Sequence, residues 1–307
     1  MELPENLKLL YRHWPNHTER SNEGEVISVI SDDLLADSLI TFVDERMRIW
    51  QKRQMGHMAP YTSDKILQTY RFCNILRELD RQTIEYHEML NPLRGNFSLW
   101  LLNMFYARMV ARPETLRAVG LLSFDQDEND RLRARLMQHP RPTYGVPYVF
   151  AISAIMRSET PTRELFITQH LPRVIGAVAS EIERWDKLSV QEGVKRVVSI
   201  FGFNLSFLWT EVLIDVAYQY PEYVDLFALF PIGPGSKPTL MRIDASQDAS
   251  ELAVRLASLH VQSGLRYDNR QIVLSAENWE GIGCEFRKYT NLSQGKGRRR
   301  LYKSESD

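Results

Sequence analysis

The chain has 307 residues, of which 44% are hydrophobic, and its formal net charge is −1. This length and content permit one large domain or two small ones with a packed core. A nearly neutral chain has no global attraction to nucleic acid, so any DNA contact must come from local basic patches. The two cysteines have no C-x-x-C spacing, no signal-peptide pattern occurs, and no apolar run approaches ~20 residues. The expectation is a cytoplasmic protein without disulfides, a metal site or a membrane span.

The first 25 residues are polar and predict a loosely ordered lead-in. A helix is expected to begin near Ser31-Asp32-Asp33, which suits an N-cap, and to run to about Gln54. One side of it carries two aromatic and two basic residues at steps of three or four: Phe42, Arg46, Trp50 and Arg53. They predict either a stacking and phosphate surface, as in single-strand binders, or a core fringed by arginines.

The stretch from 62 to 85 is predicted as a single helix, opened by the capping sequence Thr62-Ser63-Asp64. Four apolar residues and one threonine recur at helical spacing and predict one buried stripe: Phe72, Ile75, Leu76, Leu79 and Thr83. At about 100° per residue, the opposite face carries Tyr70, Asn74, Arg77 and Arg81. That face suits a planar base and its phosphates, and an ordinary arginine-rich amphipathic helix is the alternative.

The remaining periodicity predicts an all-α fold, with a single multi-helix domain over 26–290. Helices are expected over 96–119, 162–184 and 189–202, and a connection with one short helix over 120–142, whereas the stretch that follows, 143–156, has strand character. A buried helix follows Gly202 and Phe203 and carries Glu211 and Asp215 one turn apart. These acids predict either a carboxylate pair, acting as a general base or cation clamp, or structural ion pairs with arginines of other helices.

Three features near the C-terminus suit ligand contacts. Gly233-Pro234-Gly235 predicts a turn whose N–H groups can bind a phosphate. Such a turn is typical of helix-hairpin-helix DNA glycosylases, which makes a DNA glycosylase-like architecture one form that the all-α fold can take. Glu285 and Lys288 lie three residues apart on an expected helix and can face one pocket. A basic tail over 291–307 is expected to be flexible and either to contact DNA or to stay solvated; it carries Lys296, Arg298, Arg299 and Arg300.

The segment ERMRIWQKRQMGHMAPYTSDKILQTYRFCNILRELDR, residues 45–81, resembles the core signature of a phage family that hypermodifies thymine in DNA. The family comprises the helical domain of 5-hydroxymethyluracil DNA kinases and related amino acid:DNA transferases, also called α-glutamyl/putrescinyl thymine pyrophosphorylases. CEFRKY at 284–289 and the Gly-Pro-Gly turn resemble further family blocks, so the resemblance extends over about 36–302. The resemblance also implies a helix over 147–156 in place of a strand. Tyr61 replaces the family's tryptophan, and Thr239-Leu240 stands where the family has Gly-Leu.

The resemblance implies a DNA base hypermodification enzyme. This sequence contains no G-x-x-x-x-G-K-[ST] motif, so it resembles the transferases more than the ATP-binding kinases. In that chemistry, the amine of an amino acid or polyamine displaces pyrophosphate from phosphorylated 5-hydroxymethyluracil in double-stranded DNA, and no cofactor is expected. A separate 5-hydroxymethyluracil DNA kinase is the expected partner, and a phage-encoded member would act in the host cytoplasm.

Residue types and the resemblance together predict three groups of site residues. The candidate catalytic residues, which would neutralise pyrophosphate and deprotonate the amine, are Arg77, Asp80, Arg81, Glu285, Lys288 and Asp215. The candidate base-binding residues are Arg71, Asn74, Tyr70, Arg46, Trp50 and Arg53, with Asn74 reading the base edge. The candidate DNA-backbone residues are Gly233, Gly235, Lys296, Arg298, Arg299 and Arg300. Two rival functions are a non-catalytic DNA-binding partner of the kinase and a glycosylase-like enzyme, for which Asp244 is the nearby acid.

Overall fold

The structure is a computed structural model that describes residues 1–307 except 19, 21–23, 146–158, 298–300 and 302–307. The described part is mostly helical, as the sequence predicts. The helices are, in chain order, α1 (Glu5–Leu10), α2 (Trp14–Thr18), α3 (Asp33–Gln54), α4 (Lys65–Thr69), α5 (Arg81–Leu90), α6 (Phe97–Val110), α7 (Pro113–Val119), α8 (Gln126–Gln138), α9 (Leu171–Ile182), α10 (Val190–Phe201), α11 (Ser206–Gln219), α12 (Lys237–Ile243), α13 (Ala249–Ala257) and α14 (Ala276–Ser293). No single helix among these is long and apolar enough to cross a membrane.

Short strands supplement the helices. β1 (Leu188–Ser189) pairs in parallel with β2 (Val224–Asp225), and β3 (Gln262–Tyr267) pairs antiparallel with β4 (Arg270–Val273). The chain divides into two compact units. The first unit comprises Met1–Leu9, Trp14–Asp80 and Leu226–Asp307, and the second comprises Leu10–His13 and Arg81–Asp225. A single hydrophobic core stops growing at about 250–300 residues, which favours such a division.

Within the first unit, α3 packs against β3 and α14, while α12 and α13 also pack against α14. Helix α3 begins as predicted, because the Asp32 carboxylate accepts the N–H of Leu35 at 3.1 Å. Phe42 and Trp50 are each only 4% exposed. These two aromatic residues therefore belong to the core, and in this conformation Trp50 offers no open face for a base.

The predicted helix over 62–85 is wrong as a single helix, because it is interrupted between Thr69 and Arg81. Asp64 caps α4 as predicted, since its Oδ1 accepts the N–H groups of Ile66 and Leu67. The helix ends at Thr69, however, and Tyr70 has an extended backbone with φ −112° and ψ 147°. The chain then runs irregularly to a 3₁₀ turn, Arg77–Leu79, before α5 begins.

The four polar residues of the predicted helix face therefore share no helix: Tyr70, Asn74, Arg77 and Arg81. Ile75, Leu76 and Leu79 are buried as predicted, but from irregular backbone. Hydrophobic spacing reports which residues are buried and cannot by itself distinguish these two backbones.

The lead-in is more ordered than its polarity predicts. Helices α1 and α2 lie within it, and Leu3, Leu7 and Trp14 are buried. The N–H of Leu3 also donates to the carbonyl of Arg266 at 2.7 Å. A few large apolar side chains thus order this segment despite its polar composition.

In the second unit, α6 packs against α9 and α11, and α10 packs against the same two helices. Helix α6 begins where predicted, with the Asn96 side chain accepting the N–H of Leu99 at 3.1 Å. The predicted helix over 96–119 breaks at Ala111, which is left-handed with φ 55°. Pro113 then begins α7, and a residue before proline disfavours helical backbone.

Other predicted helices of the second unit are confirmed. Thr162 caps a helical run that continues through α9, and Ser189 caps α10, which ends at a left-handed Gly202. Helix α8 is the short helix expected within 120–142. The helix predicted over 147–156 lies outside the described residues.

The helix-hairpin-helix form is not confirmed. The Gly-Pro-Gly turn lies just before α12, but the described residues 226–233 before it contain no helix. The turn therefore lacks the first helix that such a hairpin requires.

Candidate functional site

A buried arginine holds the irregular segment between α4 and α5. Arg46 of α3 is 7% exposed, and its Nη2 donates to the carbonyl oxygens of Phe72 at 3.4 Å and Cys73 at 3.0 Å. Charge-assisted bonds of this kind are stronger than neutral ones. We call residues 71–74 the clasped loop.

Two carboxylates hold the other side of the clasped loop. The N–H of Cys73 donates to Oε2 of Glu285 at 3.1 Å, and the N–H of Asn74 donates to Oδ1 of Asp80 at 3.0 Å. Two successive peptide groups are therefore each held by the Arg46 cation at the carbonyl and by a carboxylate at the N–H. The arrangement brings Asp80 and Glu285, both predicted catalytic residues, to neighbouring positions.

Lys288 and Asn74 complete the clasp. Nζ of Lys288 donates to the carbonyl of Arg71, lies 3.4 Å from Oε2 of Glu285 and sits 4.4 Å from the centroid of the Phe72 ring. Glu285 and Lys288 face the same side because they lie one turn apart on α14. The Asn74 amide donates to the carbonyl of Leu79 at 2.9 Å, so in this structure it closes the loop instead of presenting a base-reading edge.

The electrostatics of this cluster favour a protonatable carboxylate at Asp80. Burial raises the pKa of Asp80 to about 6, and the negative charge of Glu285 also raises it. The N–H of Asn74 and the guanidinium groups of Arg77 and Arg46 oppose this shift. A carboxylate with a pKa near neutrality can accept and release a proton under physiological conditions.

Tyr289 was not predicted as a site residue, although it ends the CEFRKY block. Its hydroxyl donates to Oδ2 of Asp64 at 2.6 Å, and its ring centroid lies 5.3 Å from that of Phe42 and 6.5 Å from that of Phe72. Burial raises the pKa of Tyr289 to about 12, and the hydrogen bond to Asp64 adds to the shift. Tyr289 thereby ties the start of α4 to α14 beside the clasped loop.

The predicted base-binding residues divide by exposure. Arg71 and Arg53 have exposed side chains. Tyr70 is half-buried and its backbone forms an antiparallel bridge with Leu301. Arg46 is occupied by the clasped loop, so the position that suggested phosphate binding is a backbone anchor.

Two predicted catalytic residues belong to the second unit. Arg81 begins α5 and pairs with Glu85, Nε to Oε1, at 2.7 Å. Asp215 is completely buried, and it accepts hydrogen bonds from Arg108 Nε at 2.6 Å and Arg108 Nη2 at 2.5 Å. His87 Nε2 lies 3.1 Å from the same carboxylate.

This network matches the structural alternative for Asp215. Although burial acts to raise it, Arg108 and His87 hold the pKa of Asp215 well below its usual range. A buried carboxylate that is so strongly stabilised as an anion is a poor proton acceptor, which argues against its predicted role as a base.

The Gly-Pro-Gly turn packs against α14. The N–H of Gly233 donates to Oε1 of Glu280 at 3.2 Å, so the group predicted to bind phosphate is occupied by a carboxylate. Arg287 Nη1 donates to the carbonyl of Pro234 at 2.8 Å. A Cβ at Gly235 would lie 2.6 Å from Sγ of Cys284, so glycine is needed here for close packing.

The remaining predicted residues do not join the cluster. Asp244 accepts hydrogen bonds from the N–H of Ser246 at 2.9 Å and its hydroxyl at 2.6 Å, which places it in a local turn and supplies no support for a glycosylase. Lys296 is exposed. Arg298, Arg299 and Arg300 lie outside the described residues.

Comparison with known proteins bears on this cluster. The sequence pattern of the family described as "5-hmdU DNA kinase, helical domain" matches residues 34–298. A 5-hmdU DNA kinase of Bacillus phage SP10 is 36% identical over 108 residues, a match that covers 34% of this chain and 17% of that protein. No solved structure matches the chain. Because the family pattern covers most of its length, the chain belongs to the family of the helical domain of 5-hmdU DNA kinases.

Proposed function

We propose that the protein is a DNA base hypermodification enzyme, which replaces the pyrophosphate of phosphorylated 5-hydroxymethyluracil with the amine of an amino acid or polyamine. The observation that carries the proposal is that two carboxylates bind the clasped loop side by side: Glu285 accepts the N–H of Cys73 and Asp80 accepts the N–H of Asn74. The family membership and the relative's action on 5-hmdU in DNA support this class of substrate. Modified double-stranded DNA and a small amine are the proposed substrates.

The carboxylate pair suits the amine. At neutral pH an alkylamine carries a proton, so it is attracted to two neighbouring carboxylates but cannot attack carbon until it loses that proton. Asp80, with its pKa raised to about 6, is the proposed proton acceptor, and Glu285 supplies the second negative charge. The amine nitrogen then bonds to the methylene carbon of the base, the carbon–oxygen bond breaks, and pyrophosphate leaves with the electron pair.

Cations beside the loop suit the leaving group. Arg71 is exposed on the clasped loop, and its carbonyl is held by Lys288, so its backbone is fixed while its guanidinium can reach solvent. A guanidinium binds phosphate oxygens in a bidentate manner. Arg71 is therefore the proposed ligand of the departing pyrophosphate, with Arg77 as a second candidate.

The experiment that tests the proposal uses DNA carrying pyrophosphorylated 5-hydroxymethyluracil, incubated with the protein and a mixture of amines. The expected result is release of pyrophosphate and a heavier nucleoside in mass spectrometry. Asp80→Asn and Arg71→Ala should each reduce turnover by about 10²–10³-fold, which is typical when one preorganised charged contact is lost. Arg48→Ala is the control. Arg48 is exposed on α3, and its ion pair is a surface contact with Glu45 of the same helix, 3.7 Å from Nη1 to Oε2.

A second candidate function is that of a non-catalytic DNA-binding partner that recruits a 5-hydroxymethyluracil DNA kinase. One observation favours it: the side chains of Arg46, Asn74 and Lys288 all donate hydrogen bonds to backbone carbonyls in or beside the clasped loop. These bonds hold the loop rigid, as expected for a recognition surface. If no amine yields a new nucleoside while the protein still binds modified DNA, this function replaces the transferase.

A further inference from the structure

A cavity that is open to solvent lies in the first unit, at the start of α3. Three segments form its walls: residues 24–27, the first turns of α3, and residues 259–262, which connect α13 to β3. Its volume is about 370 Å³, within the range of small-molecule sites. Six of the residues that line it are apolar: Val26, Ile27, Ala36, Ile40, Leu259 and Val261.

Backbone contacts fix the walls of this cavity. The N–H of Gly24 donates to the carbonyl of Leu259 at 3.0 Å, and a Cβ at Gly24 would lie 2.9 Å from Cδ2 of Leu259. The N–H of Ile30 donates to the carbonyl of Val26 at 2.9 Å, and the Ile30 side chain is completely buried. The fold itself therefore holds the walls in place, so a ligand would lose little free energy in ordering them.

Two carboxylates supply negative charge to the cavity. Glu25 and Asp37 both line it, and both side chains are exposed, so a ligand can reach them from solvent. Asp37 lies three residues before Ile40 on α3, which places the acid beside the apolar wall. Neither carboxylate has an ion pair or a side-chain hydrogen bond within the described part of the chain, and its lining includes no lysine or arginine.

The ligand that suits this cavity combines positive charge with hydrocarbon surface. A metal ion takes oxygen ligands and gains nothing from an apolar wall. DNA and other polyanions are repelled by the two acids, and so is the carboxylate of a free amino acid. A linear aliphatic diamine has one ammonium group for each carboxylate and methylene groups for the apolar wall.

We propose that the cavity is a binding site for a linear aliphatic diamine, whose ammonium groups pair with Glu25 and Asp37 while its methylene groups cover the apolar wall. The site is separate from the clasped loop. Asp37 and Arg46 are nine positions apart on α3, which at about 100° per residue places them on opposite sides of the helix. The site uses none of the residues of the transferase proposal, and its binding is measured without DNA, so either proposal can fail while the other stands.

The first test varies the length of the ligand at constant charge. Diaminopropane, diaminobutane and diaminohexane are titrated into the whole chain by calorimetry at about pH 8, where alkylamines are protonated and histidine is ordinarily neutral. We expect the affinity to rise along the series, by up to about fourfold for each methylene group that leaves water. An affinity that is constant or falls with length would show purely electrostatic attraction and overturn the proposal, as would the absence of binding by all three.

The second test places the site. Glu25→Gln and Asp37→Asn should each weaken the binding of diaminohexane by about three- to fivefold, as expected for exposed ion pairs, and both exposed positions should tolerate the change without loss of fold. Asp44→Asn is the matched control, since Asp44 is exposed on the same helix and does not line the cavity. Equal losses in Asp37→Asn and Asp44→Asn would refute a defined site.

The third test distinguishes a free diamine from a lysine of a protein partner, which carries the same ammonium group. N-acetyl-lysine amide is titrated in parallel, and it should bind more weakly than diaminohexane because it offers one cation to two carboxylates. Hydrogen exchange at the amides of Val26 and Val261 should become slower when diaminohexane is present. Tighter binding of the lysine amide than of every diamine would assign the cavity to a protein partner and overturn the proposal.

Discussion

Arg46 and Glu285 bind the backbone of the same residue, Cys73. The Arg46 guanidinium donates to the Cys73 carbonyl at 3.0 Å, and the Glu285 carboxylate accepts the Cys73 N–H at 3.1 Å. A buried cation and a half-buried anion are thereby separated by one residue of backbone. Each ion compensates the dipole of a peptide group, so the irregular loop conformation is stabilised without a regular hydrogen-bonding pattern.

Removing the buried cation should loosen the clasped loop. Arg46→Ala should lower the free energy of unfolding by about 1.5–3 kcal/mol, the usual contribution of hydrogen bonds to a charged group. Hydrogen exchange at the amides of Cys73 and Asn74 should become faster. Arg48→Ala is the control from the solvent side of α3 and should change stability by less than about 0.5 kcal/mol. Equal effects of the two substitutions would show that Arg46 has no special role in the loop.

The ionisation of Asp80 should make the fold less stable as pH rises. Its pKa in the folded protein is about 6, above the ordinary 3.8, so the folded state retains this proton over a range in which the unfolded chain has lost it. The stability contribution of protonated Asp80 is therefore full below about pH 4 and is lost as pH rises through 6.

Asp80→Asn should remove this dependence. We expect the stability of the variant relative to the wild type to increase by about 2–3 kcal/mol between pH 4 and pH 7, measured by denaturant unfolding at each pH. If the difference between the two proteins does not vary with pH, the Asp80 carboxylate titrates normally and is not the proposed proton acceptor.

The buried ion pair of the second unit should be required for stability. Arg108→Met leaves the Asp215 carboxylate buried without its cation, with the imidazole of His87 still 3.1 Å away, and should cost about 3–5 kcal/mol. The double variant Arg108→Met/Asp215→Leu should recover most of that loss, because no uncompensated charge is left. Thermal unfolding of the three proteins checks this, and failure of the double variant to recover would mean that the pair contributes more than charge compensation.

Asp215 should also contribute to the acid limb of unfolding. Its pKa is depressed in the folded protein, so its stabilising contribution is present above the unfolded value of about 3.9 and is lost as pH falls through the folded pKa. Stability of the wild type should therefore fall below about pH 4, and Asp215→Asn should reduce that slope. An unchanged slope would contradict the ionised state assigned to this group.

The contact between Gly235 and Cys284 predicts a pair of compensating substitutions. Gly235→Ala should destabilise the protein by about 1–3 kcal/mol, since its Cβ would lie 2.6 Å from Sγ and packed interiors resist such overlap. Adding Cys284→Ala removes the sulfur and should restore much of the stability. Gly281 lies on α14, as Cys284 does, and a Cβ added there would have no neighbour within 4 Å. Gly281→Ala should therefore be neutral or stabilising. Additive effects of Gly235→Ala and Cys284→Ala would rule out this contact as the cause.

Several helix boundaries could be predicted from the sequence because they depend on adjacent residues. Asp32 and Asp64 cap α3 and α4, and Ser189 and Gly202 bound α10, each by hydrogen bonds or backbone preferences within one turn. The helix predicted through Tyr70 failed because apolar spacing records burial alone. The helix predicted over 96–119 missed a break that Pro113 signals locally.

The sequence by itself determined the helical class, the caps and the membership in the 5-hmdU DNA kinase helical-domain family, since these depend on local patterns. It also singled out Asp80, Glu285 and Lys288. Only the tertiary structure decided what they do together, because the Cys73–Glu285 hydrogen bond joins residues 212 positions apart and leaves no spacing signal in the chain. For the same reason, only the structure shows that Arg46, a predicted phosphate ligand, anchors the backbone of the clasped loop. It likewise shows that Asp215, a predicted base, forms a buried ion pair with Arg108. The contacts of these charged side chains are determined by the need to compensate buried charge with groups distant in the sequence, and periodicity does not record that need.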